Sequence, residues 1–278
     1  INLSILGRAV ESIERATGIR IDVQKIPIDD QNAFDLLGRG DTTGVFQLES
    51  AGMRRFIKEL KPSSVRELAA MVALYRPGPM DHIPTYIRQK RGLDKIKYPH
   101  PWLEEVLAET YGVIVYQDQV MRIAQVMSGY SLGEADLLRR AMGKKKKEEM
   151  AKQREKFLKG AAAKGVDENV ADHIFNLMEP FAGYAFNKAH AVCYANVAYQ
   201  TAYLKANFPV EYMSALLACY MEKPDKIASC LEECSRLNIP VLSPSVNQSG
   251  IDFSPESTAV RFGLAGIKNV GRAAVEVI

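Results

Sequence analysis

The 278-residue sequence has few cysteines and none of the short motifs that mark common catalytic or metal sites. Its four cysteines form no CxxC pair, and although Cys230 and Cys234 fall one helical turn apart, no histidine or further cysteine completes a metal-binding set. There is no GxxxxGK(S/T), no GxSxG and no zinc signature. The sequence therefore predicts free thiols in a reducing compartment and gives no support to the P-loop, serine-hydrolase or zinc classes.

Long apolar runs are also missing. The longest uncharged run, Ala189 to Leu204, is shorter than the ~20 residues that span a bilayer, and it contains His, Asn and Gln. No signal peptide opens the chain, and residue 1 is not methionine. We therefore expect a cytoplasmic protein without membrane contacts, excised from a longer chain and folded as one large domain or two.

Carboxylates arranged to hold catalytic metal ions are a third absence. The candidates are Asp29, Asp30, Asp118, Glu134 and Asp136. None lies on a predicted strand with a second acid at suitable alternation, and each is better explained as a turn residue or a helix cap. We therefore predict no catalytic and no metal-binding residue in this chain.

What the sequence does contain is a concentrated basic segment from Arg139 to Lys164. It holds eleven Lys and Arg residues against three Glu residues, whereas the whole chain carries a net charge of only +3. Such a local excess on a nearly neutral protein predicts a surface that binds an anion. The backbone of a nucleic acid and the phosphates of a nucleotide are the first candidates.

This segment begins with a predicted helix that carries an arginine pair. Ser131 and Glu134 form a capping box, which predicts the helix start. Arg139 and Arg140 lie about 100° apart around the helix, so one or both can project from its packed face. Guanidinium forks beside ammonium groups suit a polyphosphate. The alternative is that Asp136 pairs with Arg140 on a solvated helix and that the following lysines are ordinary surface charges. Those lysines are Lys144, Lys145, Lys146 and Lys147.

A second helix is predicted from about Lys188 to Asn207. Asn187, His190, Tyr194 and Thr201 follow each other at spacings of 3, 4 and 7, which places them in one polar stripe on an otherwise apolar helix. A buried polar stripe must find partners. It starts at a helix N-terminus, which favours anions, but a His and an Asn satisfied inside a core are the alternative.

Two loops and two extended runs are also predicted. In Tyr75 to Met80, prolines around a glycine fix a turn, which either connects helices or holds Arg76 toward a ligand. Val45 to Leu48 and Tyr111 to Tyr116 are predicted as short extended segments. The second loop lies within Gly266 to Ala274, a sequence that fits a hairpin entering a helix.

The composition changes from Pro240, where Pro, Ser and Asn become frequent and short β runs are predicted at Ile251 to Phe253 and Val260 to Phe262. The hairpin that follows fits a helix-hairpin-helix element, whose backbone amides hold a DNA phosphate without contacting bases. An ordinary glycine turn before a helix is the alternative.

Five motifs occur in a fixed order: FQLES (46–50), YRPGPM (75–80), YGVIVYQDQVM (111–121), GYSLGEADLLRRAMGKKK (129–146) and FNKAHA (186–191). Over essentially the whole chain they resemble the fingers region of the alpha subunit of bacterial DNA polymerase III, the C family of replicative polymerases. The resemblance implies a mainly α fold, with a helical fingers domain, a few short strands and a small α/β segment that starts a helix-hairpin-helix element. It also implies a palm-to-fingers connection at 1–45, fingers at 46–220, and a linker with the start of the helix-hairpin-helix region at 221–278.

The resemblance further implies roles for individual residues. The incoming dNTP would be bound by Arg139, Arg140, Tyr184, Asn187, Lys188 and His190. From the local patterns described above, we expect DNA or phosphate to be bound by Arg76, Lys144, Lys145, Lys146, Lys147, Lys268, Asn269 and Gly271. His190 is expected near the sugar, where it helps to exclude ribonucleotides. The sequence departs from the family pattern at Ala185, where a glycine is usual, and at Ala189, where a serine is usual.

For the parent enzyme, the resemblance implies a DNA-directed DNA polymerase whose catalytic aspartates and Mg²⁺ ions lie outside this chain. The fragment alone would be inactive and would bind no cofactor. Its partners would be dNTP and primer–template DNA, while the sliding clamp and other replicase subunits would bind regions outside it. We expect Arg139 and Arg140 to converge with Asn187 and His190 in the fold. The alternative function is a non-catalytic module that binds the DNA backbone.

Overall fold

The computed structural model describes residues 2–144, 147–182 and 186–277. Across these residues it is predominantly helical, with three short strands after residue 240, so the mainly α fold expected from the sequence is confirmed. The chain divides into two compact units, Ile1–Ser64 with Asn196–Ile278, and Val65–Ala195. These units are defined by packing alone, and the functional division at residues 45 and 220 stays a prediction.

The elements are named in chain order. The helices are α1 (Asn2–Thr17), α2 (Gln31–Arg39), α3 (Ala51–Leu60), α4 (Val65–Leu74), α5 (Ile83–Lys90), α6 (Glu104–Leu107), α7 (Gln117–Ser128), α8 (Leu132–Lys144), α9 (Lys147–Ala163), α10 (Glu168–Ala182), α11 (Lys188–Asn207), α12 (Pro209–Tyr220), α13 (Pro224–Arg236) and α14 (Arg272–Val275), and the strands are β1 (Val241–Leu242), β2 (Ser254–Glu256) and β3 (Ala259–Arg261). No helix in the part of the chain that the structure describes has the length and apolar character of a membrane span.

Helix α12 forms the centre of the first unit. Its residues 212 to 217 are all buried, on every side of the helix. A helix that is buried all round belongs inside a core. Helix α1 adds a single apolar face to the same cluster through Ile5, Leu6, Ala9 and Ile13. The spacing of these four residues follows the helical period.

The small sheet of the first unit has β3 between the other two strands. Strand β1 runs parallel to β3, with Val241 opposite Val260, and β2 runs antiparallel to it, with Pro255 opposite Val260. The strand predicted at 251–253 begins three residues later, at Ser254. Proline is tolerated there because β2 is an edge strand.

The extended segment predicted at Val45 to Leu48 is wrong, because these residues form turns. The N–H of Val45 donates to the carbonyl of Thr42 at 3.0 Å, and that of Leu48 donates to the carbonyl of Val45 at 3.1 Å. Gln47 lies between them with a φ of 62°, a conformation that a strand does not contain. The local turn bonds therefore replace the ladder that a strand would need.

A buried lysine ties the end of α11 to the loop after α2. The Lys205 side chain is fully buried, and its Nζ donates to the carbonyls of Asp41 at 2.7 Å and Thr43 at 2.9 Å and to the Glu233 carboxylate. Arg236 bridges Glu233 and Asp41, at 2.6 Å from each. Burial lowers the pKa of Lys205. This network satisfies a charge that could not otherwise be buried.

Four helices, α7 to α10, form the core of the second unit. Helix α10 buries an apolar face there, through Ala171, Ile174, Phe175 and Met178. Helix α9 approaches the end of α7 at Gly160, where a Cβ atom would lie 2.2 Å from Ser128 Oγ and 2.3 Å from its carbonyl oxygen. The absence of a side chain at this position therefore allows the two helices to pack this closely.

Candidate functional site

The backbones of the FNKAHA motif and of the segment before α7 are joined. The Gln117 N–H donates to the Phe186 carbonyl at 3.0 Å, and the Phe186 N–H donates to the Val115 carbonyl at 3.4 Å. These bonds make a parallel bridge between Tyr116 and Phe186. The extended run predicted at 111–116 thus forms a single bridge instead of a strand. A strand cannot extend further, because each segment enters a helix within two residues of the bridge.

Side chains cap the N-terminus of α11, which begins at Lys188 as predicted. Asn187 Oδ1 accepts from the His190 N–H at 3.0 Å, the geometry of an N-cap. Asp118 Oδ2 accepts from the Lys188 N–H at 3.4 Å, and Lys188 Nζ pairs with Glu109 at 2.7 Å. Two predicted nucleotide-binding residues, Asn187 and Lys188, therefore also fix the start of this helix.

His190 is exposed and stands between two aromatic rings. Its ring centroid lies 5.2 Å from that of Phe186 and 4.3 Å from that of Tyr194. The three rings follow at intervals of four residues, which places them on one face of the chain as it enters α11. This aromatic row was not singled out from the sequence, although its regular spacing would have revealed it.

The polar stripe predicted on α11 is not buried along its whole length. Asn187 and His190 are exposed and Tyr194 is half-buried, whereas Thr201 is buried. The Thr201 hydroxyl accepts from the Phe46 N–H at 3.1 Å and donates to the Ala198 carbonyl at 2.7 Å. The interpretation of His190 and Asn187 as satisfied core residues is therefore wrong, while Thr201 has the internal partners expected of a buried hydroxyl.

Arg76 leaves the YRPGPM turn directed at the FNKAHA segment. Its guanidinium carbon lies 4.4 Å from the centroid of the Phe186 ring, a cation–π contact, and its Nε donates to the Ala73 carbonyl at 3.0 Å. Burial lowers the pKa of Arg76. The turn is closed by a bond from the Met80 N–H to the Arg76 carbonyl at 3.1 Å. The turn thus orients Arg76 as well as connecting helices.

Helix α8 begins at the predicted capping box and presents the arginine pair. The Ser131 N–H donates to Glu134 Oε2 at 2.8 Å, and the Glu134 N–H donates to Ser131 Oγ at 3.3 Å. Asp136 binds both arginines, Arg139 through Oδ1 and Arg140 through Oδ2, each at 2.7 Å. The hydrogen bond from Arg139 is the main cause that lowers the pKa of Asp136. The Asp136–Arg140 ion pair, which was predicted as the alternative to phosphate binding, is thus present. The same carboxylate also holds Arg139, so two guanidinium groups lie together on one acid.

Part of the charge counted in the basic segment is neutralised locally. Lys156 Nζ lies 2.6 Å from Glu134 Oε1, and Arg154 pairs with Asp172 of α10. Hydrogen bonds from Lys156 and from Ser131 lower the pKa of Glu134 to about 2. The sequence count therefore overstates the charge that this segment can offer to a ligand.

The lysine run falls largely outside the described residues. Lys144 ends α8 and Lys147 begins α9, but their side chains are not described, and Lys145, Lys146 and Tyr184 are not described at all. The roles expected for these five residues stay predictions.

The C-terminal turn of the first unit carries the other predicted phosphate contacts. Lys268 and Asn269 are exposed in a turn in which Asn269 has a φ of 69° and the Val270 N–H donates to the Ile267 carbonyl at 3.0 Å. Gly271 follows as the residue before α14. This geometry is that of a short hairpin leading into a helix, as the sequence predicted.

The predicted site residues fall into two groups. Arg76, Arg139, Arg140, Asn187, Lys188 and His190 belong to the unit Val65–Ala195, whereas Lys268, Asn269 and Gly271 belong to the other unit. Within the first group, Arg76 meets the FNKAHA segment through Phe186, whereas Arg139 and Arg140 meet Asp136 of their own helix. The convergence of Arg139 and Arg140 with Asn187 and His190 therefore stays a prediction.

The described residues do not fit a metal centre. Outside the gaps at 145–146 and 183–185, no three His, Cys, Asp or Glu side chains come together as the ligands of an ion would. Asp118 and Asp136, two of the acids considered from the sequence, are instead bound to a helix N-terminus and to an arginine pair. No step of a mechanism is therefore assigned to a metal held by this chain.

Comparison with known proteins gives two family matches. Residues 2–165 match the bacterial DNA polymerase III alpha subunit finger domain. Residues 238–278 match the helix-hairpin-helix motif, which covers the small sheet and the turn before α14.

Individual relatives match nearly the whole chain. The DNA polymerase III subunit alpha of Thermus aquaticus is 49% identical over 281 residues, which cover 99% of this chain and 23% of the relative. The subunit of Caulobacter vibrioides is 50% identical over 274 residues, which cover 99% of this chain and 24% of the relative. The subunit of Neisseria meningitidis serogroup B is 49% identical over 278 residues, which cover 100% of this chain and 24% of the relative. The chain thus spans about a quarter of the length of these relatives. The finger-domain match covers more than half of the chain, and the chain therefore belongs to the family of bacterial DNA polymerase III alpha subunit finger domains.

Proposed function

We propose that this chain is the fingers part of a replicative DNA-directed DNA polymerase, in which it binds the triphosphate of the incoming dNTP and the primer–template DNA. The family match and the likeness to DNA polymerase III alpha subunits support the parent activity. The observation that carries the nucleotide-binding role is the pair of guanidinium groups held on Asp136.

The arginine pair has the chemistry to bind a polyphosphate. Asp136 neutralises one of the two positive charges, so the three side chains carry a net charge of +1. Arg140 is 63% exposed and Arg139 29% exposed, so both can be reached from solvent. In the proposed complex their N–H groups donate to phosphate oxygens, while Asp136 limits the freedom of both side chains. Their role is to position the triphosphate and to neutralise its charge.

The start of α11 is proposed to contact the rest of the nucleotide. His190 lies exposed between Phe186 and Tyr194, so its ring is held by its neighbours and still accessible. We place it near the sugar, where its bulk would disfavour a ribonucleotide. Tyr184, Asn187 and Lys188 are proposed to flank the same pocket.

Metal chemistry would belong to other parts of the parent enzyme. Mg²⁺ would be held there by carboxylates, since the described residues of this chain do not fit such a site. The 278-residue chain is accordingly proposed not to extend a primer by itself, and a cytoplasmic location is proposed with the replication role.

A titration with a fluorescent dNTP in the presence of Mg²⁺ tests the nucleotide site. The expected result is saturable binding that Arg139→Ala/Arg140→Ala weakens at least tenfold, because each charge-assisted hydrogen bond contributes roughly 1.5–3 kcal/mol. Arg15→Ala is the matched control, since Arg15 is also an exposed arginine paired with an acid on its own helix. Equal loss in the control and the double variant, or no effect of the double variant, would contradict the proposal.

A second candidate function is binding of the DNA backbone by the helix-hairpin-helix region. The observation that favours it is the exposed turn at Lys268 and Asn269 within residues 238–278. On primer–template DNA this surface should give an affinity that falls with salt and does not depend on sequence. Lys268→Ala should lower the slope of log K against log salt by about one. An unchanged slope would argue against this surface.

A further inference from the structure

The segment that follows α5 exposes large apolar and aromatic side chains next to cations. We define residues 91–102 as the Trp102 loop. Its Leu93 is 65% exposed, Ile96 39% and Trp102 47%. Arg91, Lys95 and Lys97 lie in the same loop. Several exposed apolar side chains within one short segment of the chain make that segment a candidate binding surface.

The base of the loop is held rigidly. Arg88 binds Asp94 through two hydrogen bonds, at 2.7 and 2.9 Å, and its carbonyl accepts from the Leu93 N–H at 2.9 Å. The middle of the loop packs against Gly112, where a Cβ atom would lie 2.7 Å from the Lys97 carbonyl. Little conformational entropy would therefore be lost when the loop binds a partner.

Trp102 is held in a similar way. His100 Nδ1 accepts from the Trp102 N–H at 3.2 Å, a side-chain cap on the short helical turn that begins at Pro101. The two ring centroids are 4.8 Å apart and the planes make an angle of 73°, an edge-to-face pair. The indole thus packs against the imidazole, while about half of the Trp102 surface stays open to solvent.

The charge of the loop favours an anionic partner. Its only acidic residue, Asp94, is bound by Arg88. Lys95 and Lys97 make no ion pair with any residue that the structure describes. The next acids, Glu104 and Glu105, belong to the first turn of α6 and lie outside the loop.

We propose that the Trp102 loop binds single-stranded DNA, with a base stacked on Trp102 and phosphates against Lys95 and Lys97. A basic surface with an exposed aromatic ring is the arrangement that binds unpaired nucleotides without sequence preference, because every base has a stacking face. A duplex keeps its bases stacked inside and offers only its phosphates. The proposal takes from the proposed function only that DNA is the nucleic acid, and it uses none of the residues of the nucleotide site.

The chain itself provides the probe, because Trp102 is its only tryptophan. Titration with an oligo(dT) of about twelve nucleotides, a length within the usual site sizes, should quench the intrinsic fluorescence saturably. The binding constant of a labelled oligo(dT), measured by anisotropy, should weaken roughly 5- to 150-fold in Trp102→Ala, the range for loss of one stacked base. Trp102→Phe keeps a stacking ring and should weaken it less than fivefold. Circular dichroism of each variant checks that the fold is unchanged.

Two comparisons separate stacking from simple charge attraction. An abasic oligonucleotide of the same length should bind more weakly and quench less, and a duplex of equal charge should quench little. Lys95→Ala/Lys97→Ala should reduce the slope of log K against log salt, whereas Lys25→Ala/Lys58→Ala, two exposed lysines of the other unit, should not.

Failure of the single-stranded DNA proposal can be distinguished from failure of the proposed dNTP site. Arg139→Ala/Arg140→Ala should keep the oligo(dT) quenching, and Trp102→Ala should keep dNTP binding. Equal binding of wild type and Trp102→Ala to oligo(dT), or equal quenching by the abasic strand, would overturn the proposal. Absence of any oligo(dT) binding at low salt would also overturn it.

Discussion

The guanidinium carbon of Arg76 lies 4.4 Å from the centroid of the Phe186 ring, across 110 residues of sequence. This contact joins the YRPGPM turn to the start of α11, and the ring of Phe186 also faces His190 at 5.2 Å. One phenyl ring therefore positions an arginine and a histidine that the sequence had assigned to two different roles.

Removal of either Arg76 or Phe186 should destabilise the second unit, and the effects of the two substitutions should not be additive. Phe186→Leu and Arg76→Gln are each expected to lower the free energy of unfolding, and a double-mutant cycle should give a coupling of about 0.5–2 kcal/mol. Urea denaturation measures it. A coupling near zero would mean that Arg76 is held by its backbone contacts alone.

The buried lysine of the first unit should be far more sensitive than surface lysines. Lys205→Met leaves the Glu233 carboxylate without its buried partner and should cost about 3–5 kcal/mol of unfolding free energy. Lys226→Ala, which breaks the half-exposed pair with Glu49, should cost less than about 1 kcal/mol. Denaturant unfolding compares the two. Similar losses for both lysines would contradict the assigned burial.

Acid should weaken the start of α8 within a defined pH range. The pKa of Glu134 is lowered from 4.5 to about 2, so its contribution to stability is complete above pH 4.5 and is lost as the pH falls through 2. Glu134→Gln should therefore be less stable than wild type at pH 6, and the difference should shrink between pH 4.5 and 2. Midpoints of denaturant unfolding across this range measure the effect. A difference that stays constant with pH would show that the carboxylate is not responsible.

Two glycines of the second unit should respond in opposite ways to alanine. Gly160→Ala places a Cβ atom against Ser128 and should cost about 1–3 kcal/mol through overpacking. Gly133→Ala in α8 meets no atom within 4 Å and should be neutral or stabilising by up to about 1 kcal/mol. Thermal unfolding of both variants tests the packing of α9 on α7. If both variants were equally stable, the close approach at Gly160 would be wrong.

Local sequence patterns predicted the helices and their ends best. The capping box at Ser131 and the bounds of α11 depend on neighbours within one turn, so periodicity and cap residues suffice. Contacts between distant segments were not accessible in this way. Lys205 resembles an ordinary lysine near a helix end, and only the packing of Asp41 and Glu233 around it makes it a core residue.

The site was predicted in composition but not in arrangement. Arg139, Arg140 and His190 were identified by residue type and motif, but the exposure of His190 was not, because an apolar helix was taken as buried along its whole length. The neutralisation of Arg154 by Asp172 also joins two helices that local sequence cannot relate. Which charges of the basic segment remain unneutralised could therefore be determined only from the folded structure.

The bridge between Tyr116 and Phe186 has a consequence for the order in which the second unit opens. Among the residues that the structure describes, two backbone hydrogen bonds, at 3.0 and 3.4 Å, and the contacts of Lys188 with Asp118 and Glu109 close a loop of about 70 residues there, and the intervening helices α7 to α10 have their own core. The entropy of loop closure opposes this contact, whereas the four helices are joined by shorter connections. Amide hydrogens at Gln117 and Phe186 should therefore exchange with deuterium through a partial opening that leaves the core folded, and faster than those of Ile123 or Phe175.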